Sequence, residues 1–252
     1  MPMQTLTLLT GASRGLGLAM AQQLLERKHT LLCISRHSNP ALTQLAQQHG
    51  ANLTQWNADL SDASAAAKRL QDWLQTQNAS AFSTVQLINN AGVIPPLRAV
   101  RSSSPADLAQ ALAVGLNAPL QLSAAFLSAT NGWSARKKIL NISSGLGRYA
   151  MASSAAYCAA KAGMDHFTRC LALEEALHPN GAKVCSLAPG VIDTDMQVQL
   201  RGAEAANFPD HARFVGLHSQ KQLSSPEDAA RRVLTFLERP DFGARDVADI
   251  RD

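Results

Sequence analysis

Short apolar runs rich in β-branched residues alternate with longer alanine- and leucine-rich segments of helical period along the whole 252-residue chain. The pattern predicts strands at 5–10 (TLTLLT), 30–35 (TLLCIS), 51–56 (ANLTQW), 84–89 (TVQLIN), 138–143 (KILNIS) and 183–188 (KVCSLA). It predicts helices near 15–27, 39–49, 62–77, 105–130, 153–177 and 226–238. Ser61 stands where an N-cap belongs, Pro105 and Pro226 fall in first helical turns, and Gly50 follows LAQQH as a C-terminal glycine does. Strands separated by helices pack as a parallel sheet covered on both faces, with ligands at the carboxyl ends of the strands. The fold class is therefore α/β. No internal repeat, low-complexity linker or charge block divides the chain, so 1–252 is read as one domain. Residues 190–225 exceed an ordinary connection and predict a segment that covers a substrate.

Composition narrows the partners. Apolar residues at 46% and charged ones at 17% suit a folded protein rather than a disordered one. The net charge of +4 comes from scattered Lys and Arg, without a basic run or aromatic–basic interleaving, which argues against a nucleic-acid partner. Cys33, Cys158, Cys170 and Cys185 form no C-x-x-C pair and join no histidine cluster, so reduced thiols and no metal are expected. The first apolar run begins at Thr5 with no basic segment or cleavage-like site before it. No uninterrupted apolar span of membrane length is read in the chain, and a cytoplasmic protein with no membrane partner is expected.

The chemistry begins at TGASRGLGLAM, which follows the first strand and opens the first helix. Gly11, Gly15 and Gly17 permit a tight turn, close approach of backbone amides to a pyrophosphate, and tight packing of helix on sheet. The spacing is G-x-x-x-G-x-G; in a βαβ setting it predicts dinucleotide binding. An NAD site places an acid at the end of the second strand, where this chain reads CISRHS. Arg36, with Arg14 in the glycine turn, suits a 2′-phosphate instead, which predicts NADP(H). Further along, AAYCAAK sets Tyr157 and Lys161 one helical turn apart, so the two must feel each other electrically. Alone, such a pair also fits a lysine snorkelling beside a half-buried tyrosine.

With TGASRGLG, NNAG (89–92), NISS (141–144), YCAAK (157–161) and PGVIDTDM (189–196) in that order, the chain resembles the short-chain dehydrogenase/reductase superfamily over nearly its whole length. The resemblance implies a three-layer, Rossmann-type, doubly wound parallel sheet of about seven strands. It implies a nicotinamide cofactor and a catalytic set of Asn117, Ser144, Tyr157 and Lys161. Tyr157 would protonate the carbonyl oxygen and Ser144 would hold that oxygen. Lys161 would favour the phenolate, bringing its pKa down toward working pH, and Asn117 would help hold a water chain to the lysine. Ser143 competes with Ser144, but neighbours on a strand face opposite ways, so only one faces the site. Positions matching the family's cofactor contacts are Gly11, Ser13, Arg14, Gly15, Leu16, Gly17, Arg36, Asp59, Leu60, Asn90, Ala91, Gly92, Tyr157, Lys161, Pro189, Gly190, Ile192 and Thr194. Taken alone, Asp59 could instead cap the helix at 62.

Within that superfamily, YCAAKAGMDHFTRCLALEE, APGVIDTDMQ and the ending DVADIRD look like the sepiapterin reductase and benzil reductase members, which reduce 1,2-dicarbonyl or α-hydroxy-ketone groups with NADPH. The substrate set implied is Ser144, Tyr157, Met196 and Asp249, the last either a pterin anchor or a solvated terminal acid. A general ketone or 3-oxoacyl-thioester reductase shares the same motifs. A non-enzymatic NADPH sensor would have no need of Ser144, Tyr157 and Lys161 together. A serine hydrolase is disfavoured, since neither serine of ISSGLG has the glycine two residues before it. Relatives often pair through helices 105–130 and 153–177, and the alanine-rich surfaces there suit a homodimer.

Overall fold

The computed structural model describes residues 4–252. Seven strands, β1 (Gln4–Thr10), β2 (Thr30–Ser35), β3 (Leu53–Asn57), β4 (Phe82–Asn89), β5 (Arg136–Ile142), β6 (Lys183–Ala188) and β7 (Val247–Asp249), form one sheet in the order β3-β2-β1-β4-β5-β6-β7. Every pairing is parallel. The helices are α1 (Gly15–Glu26), α2 (Pro40–His49), α3 (Ala63–Gln75), α4 (Pro105–Leu112), α5 (Ala118–Thr130), α6 (Ala155–Glu175), α7 (Asp195–Arg201), α8 (His211–Ser219) and α9 (Pro226–Glu238). This is a Rossmann-type doubly wound sheet. The order reverses between β1 and β4, which opens a crevice at the carboxyl ends of those strands.

Burial explains the layers. On one face Leu6, Leu8, Leu32, Leu87 and Ile139 pack with Leu70 and Leu74 of α3, Leu122 and Phe126 of α5, and Leu171 of α6. On the other, Leu9, Leu31, Ile88 and Leu140 meet Met20 and Leu24 of α1, Leu42 of α2, and Val233 and Leu237 of α9. Met20 and Leu24 are one turn apart on the stripe that α1 presents to the sheet. Each fully buried leucine contributes roughly 1.5–3 kcal/mol.

Beyond shifts of one or two residues at other element ends, three departures from the pattern reading have a local reason. Strand β3 starts at Leu53 rather than 51, because Ala51 N–H bonds back to Ala46 O after Gly50 adopts φ +62. The cap of α3 is Asp62, whose Oδ1 accepts from Ala65 N–H, and not Ser61. The predicted helix 105–130 is interrupted by a π-helical turn, Ala113–Asn117. Pro119, in the first turn of α5, has no N–H to offer Gly115 and its ring crowds that carbonyl, which favours the widened turn. The stretch Pro105–Thr130 is in fact long and apolar enough by composition to cross a membrane, contrary to the pattern reading. Half of its most apolar window is buried in the domain, as a core helix requires. Strand β7, in the tail VAD, was invisible to periodicity because it is three residues long.

Candidate active site

The loop between β1 and α1 is built around its glycines. Gly11 has φ +70, and a Cβ there would come within 2.9 Å of Ala91 Cα. At Gly17 a Cβ would fall 2.0 Å from Gly11 O. Hydroxyls at the strand ends lock the turn. Thr10 Oγ1 accepts from the N–H groups of Asn90 and Ala91 at 2.9 and 3.0 Å, and Ser35 Oγ accepts from Ala12 N–H at 2.8 Å. Asn90 Nδ2 donates to Thr10 O and Gly11 O. The first turn of α1 carries no side-chain cap and no acid, so its amides face the crevice unpaired with any side chain. That arrangement fits a phosphate.

The crevice opens into a cavity of about 700 Å³, within the roughly 300–1,000 Å³ typical of small-molecule sites. Gly11, Ser13, Arg14, Gly15, Leu16, Gly17, Arg36, Asp59, Leu60 and the Asn90–Gly92 turn line it. Ser144, Tyr157, Lys161, Pro189, Gly190, Ile192, Thr194, Met196 and Asp249 line the same cavity, Thr194 lying against Gly15 and Lys161 Nζ close to Gly92. Arg14 pairs with Asp195 at 2.8 Å on the surface, whereas Arg36 makes no ion pair among the described residues. Asp59 does not cap α3. Its Oδ1 accepts from Ser61 N–H at 2.9 Å, and that bond and the nearby Arg36 hold its carboxyl below the usual range.

Tyr157 and Lys161, in the first two turns of α6, are 7% and 3% exposed. Burial pushes the Tyr157 phenol up to about 12, against a downward pull from the Ser144 hydroxyl. Burial brings Lys161 down to about 8, against the opposing charge of Asp165. Lys161 Nζ donates to Ile142 O at 2.7 Å and lies 5.7 Å from the Tyr157 ring centre. Desolvation is the largest effect on the phenol within the protein itself, and the ammonium addresses the Ile142 carbonyl. The serine alternatives separate cleanly. Ser143 is buried and donates to Asp165 Oδ1 at 2.6 Å. Ser144 stands at the entrance to the turn Gly145–Gly147, beside Tyr157.

The short chain dehydrogenase family profile matches residues 5–205. The chain belongs to that family. It is accordingly an oxidoreductase acting between C=O and CH–OH groups. Among its relatives, "Benzil reductase ((S)-benzoin forming)" of Bacillus cereus is 35% identical over 243 residues, covering 96% of this chain and 98% of that protein. Sepiapterin reductase of Rattus norvegicus is 31% identical over 255 residues, covering 97% of this chain and 95% of the relative. A solved structure of a proposed 2-deoxy-D-gluconate 3-dehydrogenase from Agrobacterium tumefaciens with bound NADP superposes with a TM-score of 0.79 at 26% identity, over 97% of this chain and 94% of that one.

Of the residues that the family resemblance singled out, Asn117 alone does not line the cavity. It is exposed, its Oδ1 accepts from Gln121 Nε2 at 3.0 Å, and the π-helical turn presents Val114 to the cavity instead. Asp249 is no solvated acid. It is 9% exposed at the end of β7, and Arg251 takes both its oxygens, Nε to Oδ1 at 2.7 Å and Nη2 to Oδ2 at 2.6 Å. That pairing holds the Asp249 carboxyl below the usual range. The segment 190–225 folds into α7 and α8. Leu200, Phe208 and Phe214 form a small core with Leu97 and Met151, and Gln197, Leu200, Arg213 and Phe214 line the cavity. Thr10, Arg148 and Asp165 were not singled out from the sequence. A hydroxyl just before Gly11, and an acid four residues after Lys161 inside a buried helix face, were the available signals. No group of three or more metal-ligating side chains lies together among the described residues.

Proposed function

We propose that this short chain dehydrogenase is an NADPH-dependent carbonyl reductase whose substrates are 1,2-dicarbonyls or α-hydroxy-ketones. The observation that carries it is one continuous cavity lined by the bare amides of α1 and by Tyr157, Ser144 and Lys161. The glycine turn and the Asn90–Gly92 turn would hold the cofactor, Arg36 would meet the 2′-phosphate, and Pro189, Gly190, Ile192 and Thr194 would hold the carboxamide end. The NADP bound in the Agrobacterium relative supports that choice. Bound NADPH supplies the hydride.

In this reading Tyr157 gives its proton to the carbonyl oxygen as charge develops there. A phenol raised to about 12 is fully protonated at neutral pH, and a nascent alkoxide is the stronger base, so transfer runs toward the product. Ser144 donates a second hydrogen bond to the same oxygen, worth most in a cavity shielded from water. Lys161 keeps a positive charge behind the phenol below its pKa of about 8 and loses it as pH rises through that value, so reduction should fade on the alkaline side. The segment 190–225 would cover the substrate, with Met196 Sδ 4.0 Å from the Tyr157 hydroxyl. The names of the Bacillus and rat relatives favour a dicarbonyl or pterin side-chain ketone over an oxoacyl thioester. Asp249 enters as a pterin anchor only where Arg251 is displaced.

A screen of cofactor oxidation across benzil, aliphatic diketones, sepiapterin and an oxoacyl thioester tests this. Diketones with NADPH should give the highest kcat/KM, and NADH should be at least about tenfold poorer, as loss of one charge-assisted contact implies. Preference for the thioester, or equal use of NADH, would sink the respective assignment. We also propose a homodimer through α4 and α6, where Leu112 and Leu173 are exposed. Light scattering should give twice the monomer mass; a monomer at micromolar concentration would contradict it.

A further inference from the structure

Asp165 lies one helical turn beyond Lys161 on α6 and is 2% exposed. A carboxylate buried so deeply costs several kcal/mol unless donors and opposite charges meet it. Two donors come from adjacent strands: Ser143 Oγ at the end of β5 and Ser186 Oγ within β6 each donate to Oδ1 at 2.6 Å. Oδ2 accepts no hydrogen bond, and Arg148 Nε stands 3.6 Å from it. Gly147 packs closely against the group, since a Cβ there would lie 2.7 Å from Oδ2 and 3.0 Å from Lys161 O. An amide oxygen would serve two serine hydroxyls equally well. The unbonded second oxygen therefore answers to something other than the serines.

We infer that Asp165 is a positioning residue for Lys161, holding the lysine charged in a buried site, and that Arg148 sets how much of the carboxylate's field the lysine receives. The inference rests on the reading of Lys161 as the cation behind Tyr157. The groups around the lysine leave that task to Asp165. On α6 itself the other titratable neighbours are Tyr157, neutral at working pH, and Cys158. The π-helical turn offers the uncharged Val114 and Gly115, and the end of β5 offers the Ile142 carbonyl. From β6 comes Cys185, buried and pushed up to about 12, hence neutral. From β7 comes Asp249, held by Arg251 and standing 3.7 Å from Arg148 Nη1. Arg148 thus sits between two carboxylates and also donates to Ala248 O, so Asp165 is left partly free to favour the lysine cation. The direction of its effect on Lys161 agrees, opposing the fall that burial causes.

Asp165→Asn keeps an oxygen for both serines and removes the charge. Two readouts apply: the pH profile of kcat for carbonyl reduction, and an NMR titration of the Lys161 amine in the cofactor-free protein. Both should move to lower pH by about one unit or more, the scale that a nearby opposite charge produces. Arg148→Met should move both the other way, because it removes a competing cation. Unchanged profiles and titrations in both variants would overturn the proposal and leave Asp165 a clamp for two serines. If Asp165→Asn fails to fold, Arg148→Met decides alone, with an upward shift supporting the proposal and no shift refuting it. Lys161→Met separates the underlying reading. Turnover retained in that variant removes Lys161 from the mechanism, whereas turnover lost there with no shift in the other two refutes only Asp165.

Discussion

Tyr157→Phe is expected to lower carbonyl reduction by about 10²–10⁴-fold, the range for loss of a general acid, while NADPH binding stays largely intact. The substitution keeps the ring that packs at the cavity wall, where Tyr157 is 7% exposed, and deletes only the hydroxyl. That hydroxyl has only the Ser144 hydroxyl and, at 4.0 Å, Met196 Sδ beside it, both at the cavity rather than in the core, so folding should not suffer. The phosphate-facing turn belongs to other elements altogether, β1 and α1. Activity measured by NADPH oxidation and affinity measured by fluorescence titration should therefore part company. Turnover equal to wild type would remove Tyr157 from the mechanism. Equal losses of binding and turnover would instead assign it a purely structural part.

The second large effect is expected at Gly17. An alanine there would set its Cβ 2.0 Å from Gly11 O and 2.5 Å from Asn90 Nδ2, distances that real side chains do not reach. The obstacle is mainly backbone, so α1 must move off β1 or the turn must open. Overpacking of this kind costs typically 1–3 kcal/mol, and the displaced amides would lose a phosphate. Gly17→Ala should therefore lower Tm and abolish detectable NADPH binding. Gly132→Ala is the control, because nothing stands within 4 Å of a Cβ there and its φ is not positive. That variant should bind NADPH as the wild type does. A Gly17→Ala protein with normal affinity would show that the turn is not where the cofactor sits.

Much of this was legible in the sequence because it depends on local rules. Periodicity found six of the seven strands and the glycine turn, since β-branched runs and glycine spacing act over a few residues. What escaped depends on contacts made through space. The β7 strand exists because Val247–Asp249 pairs with Ser186–Ala188, and nothing in three residues announces it. In the π-helical turn before Pro119 it is Val114 and not Asn117 that lines the cavity, a placement that motif spacing does not encode. The burial of Tyr157 and Lys161 was not legible. Spacing told that they are neighbours, but the depth of burial that moves both groups most is a property of the packed domain. Asp249 changed character for the same reason: a tail residue in sequence is a buried, arginine-paired carboxylate in the fold.

The most direct measurement of the central claim is the stoichiometry of NADPH oxidation with benzil. One hydroxy-ketone should form per NADPH consumed, with the rate falling as pH rises through about 8, where Lys161 loses its charge. A protein that binds NADPH but oxidises none with benzil or any other diketone would contradict the account.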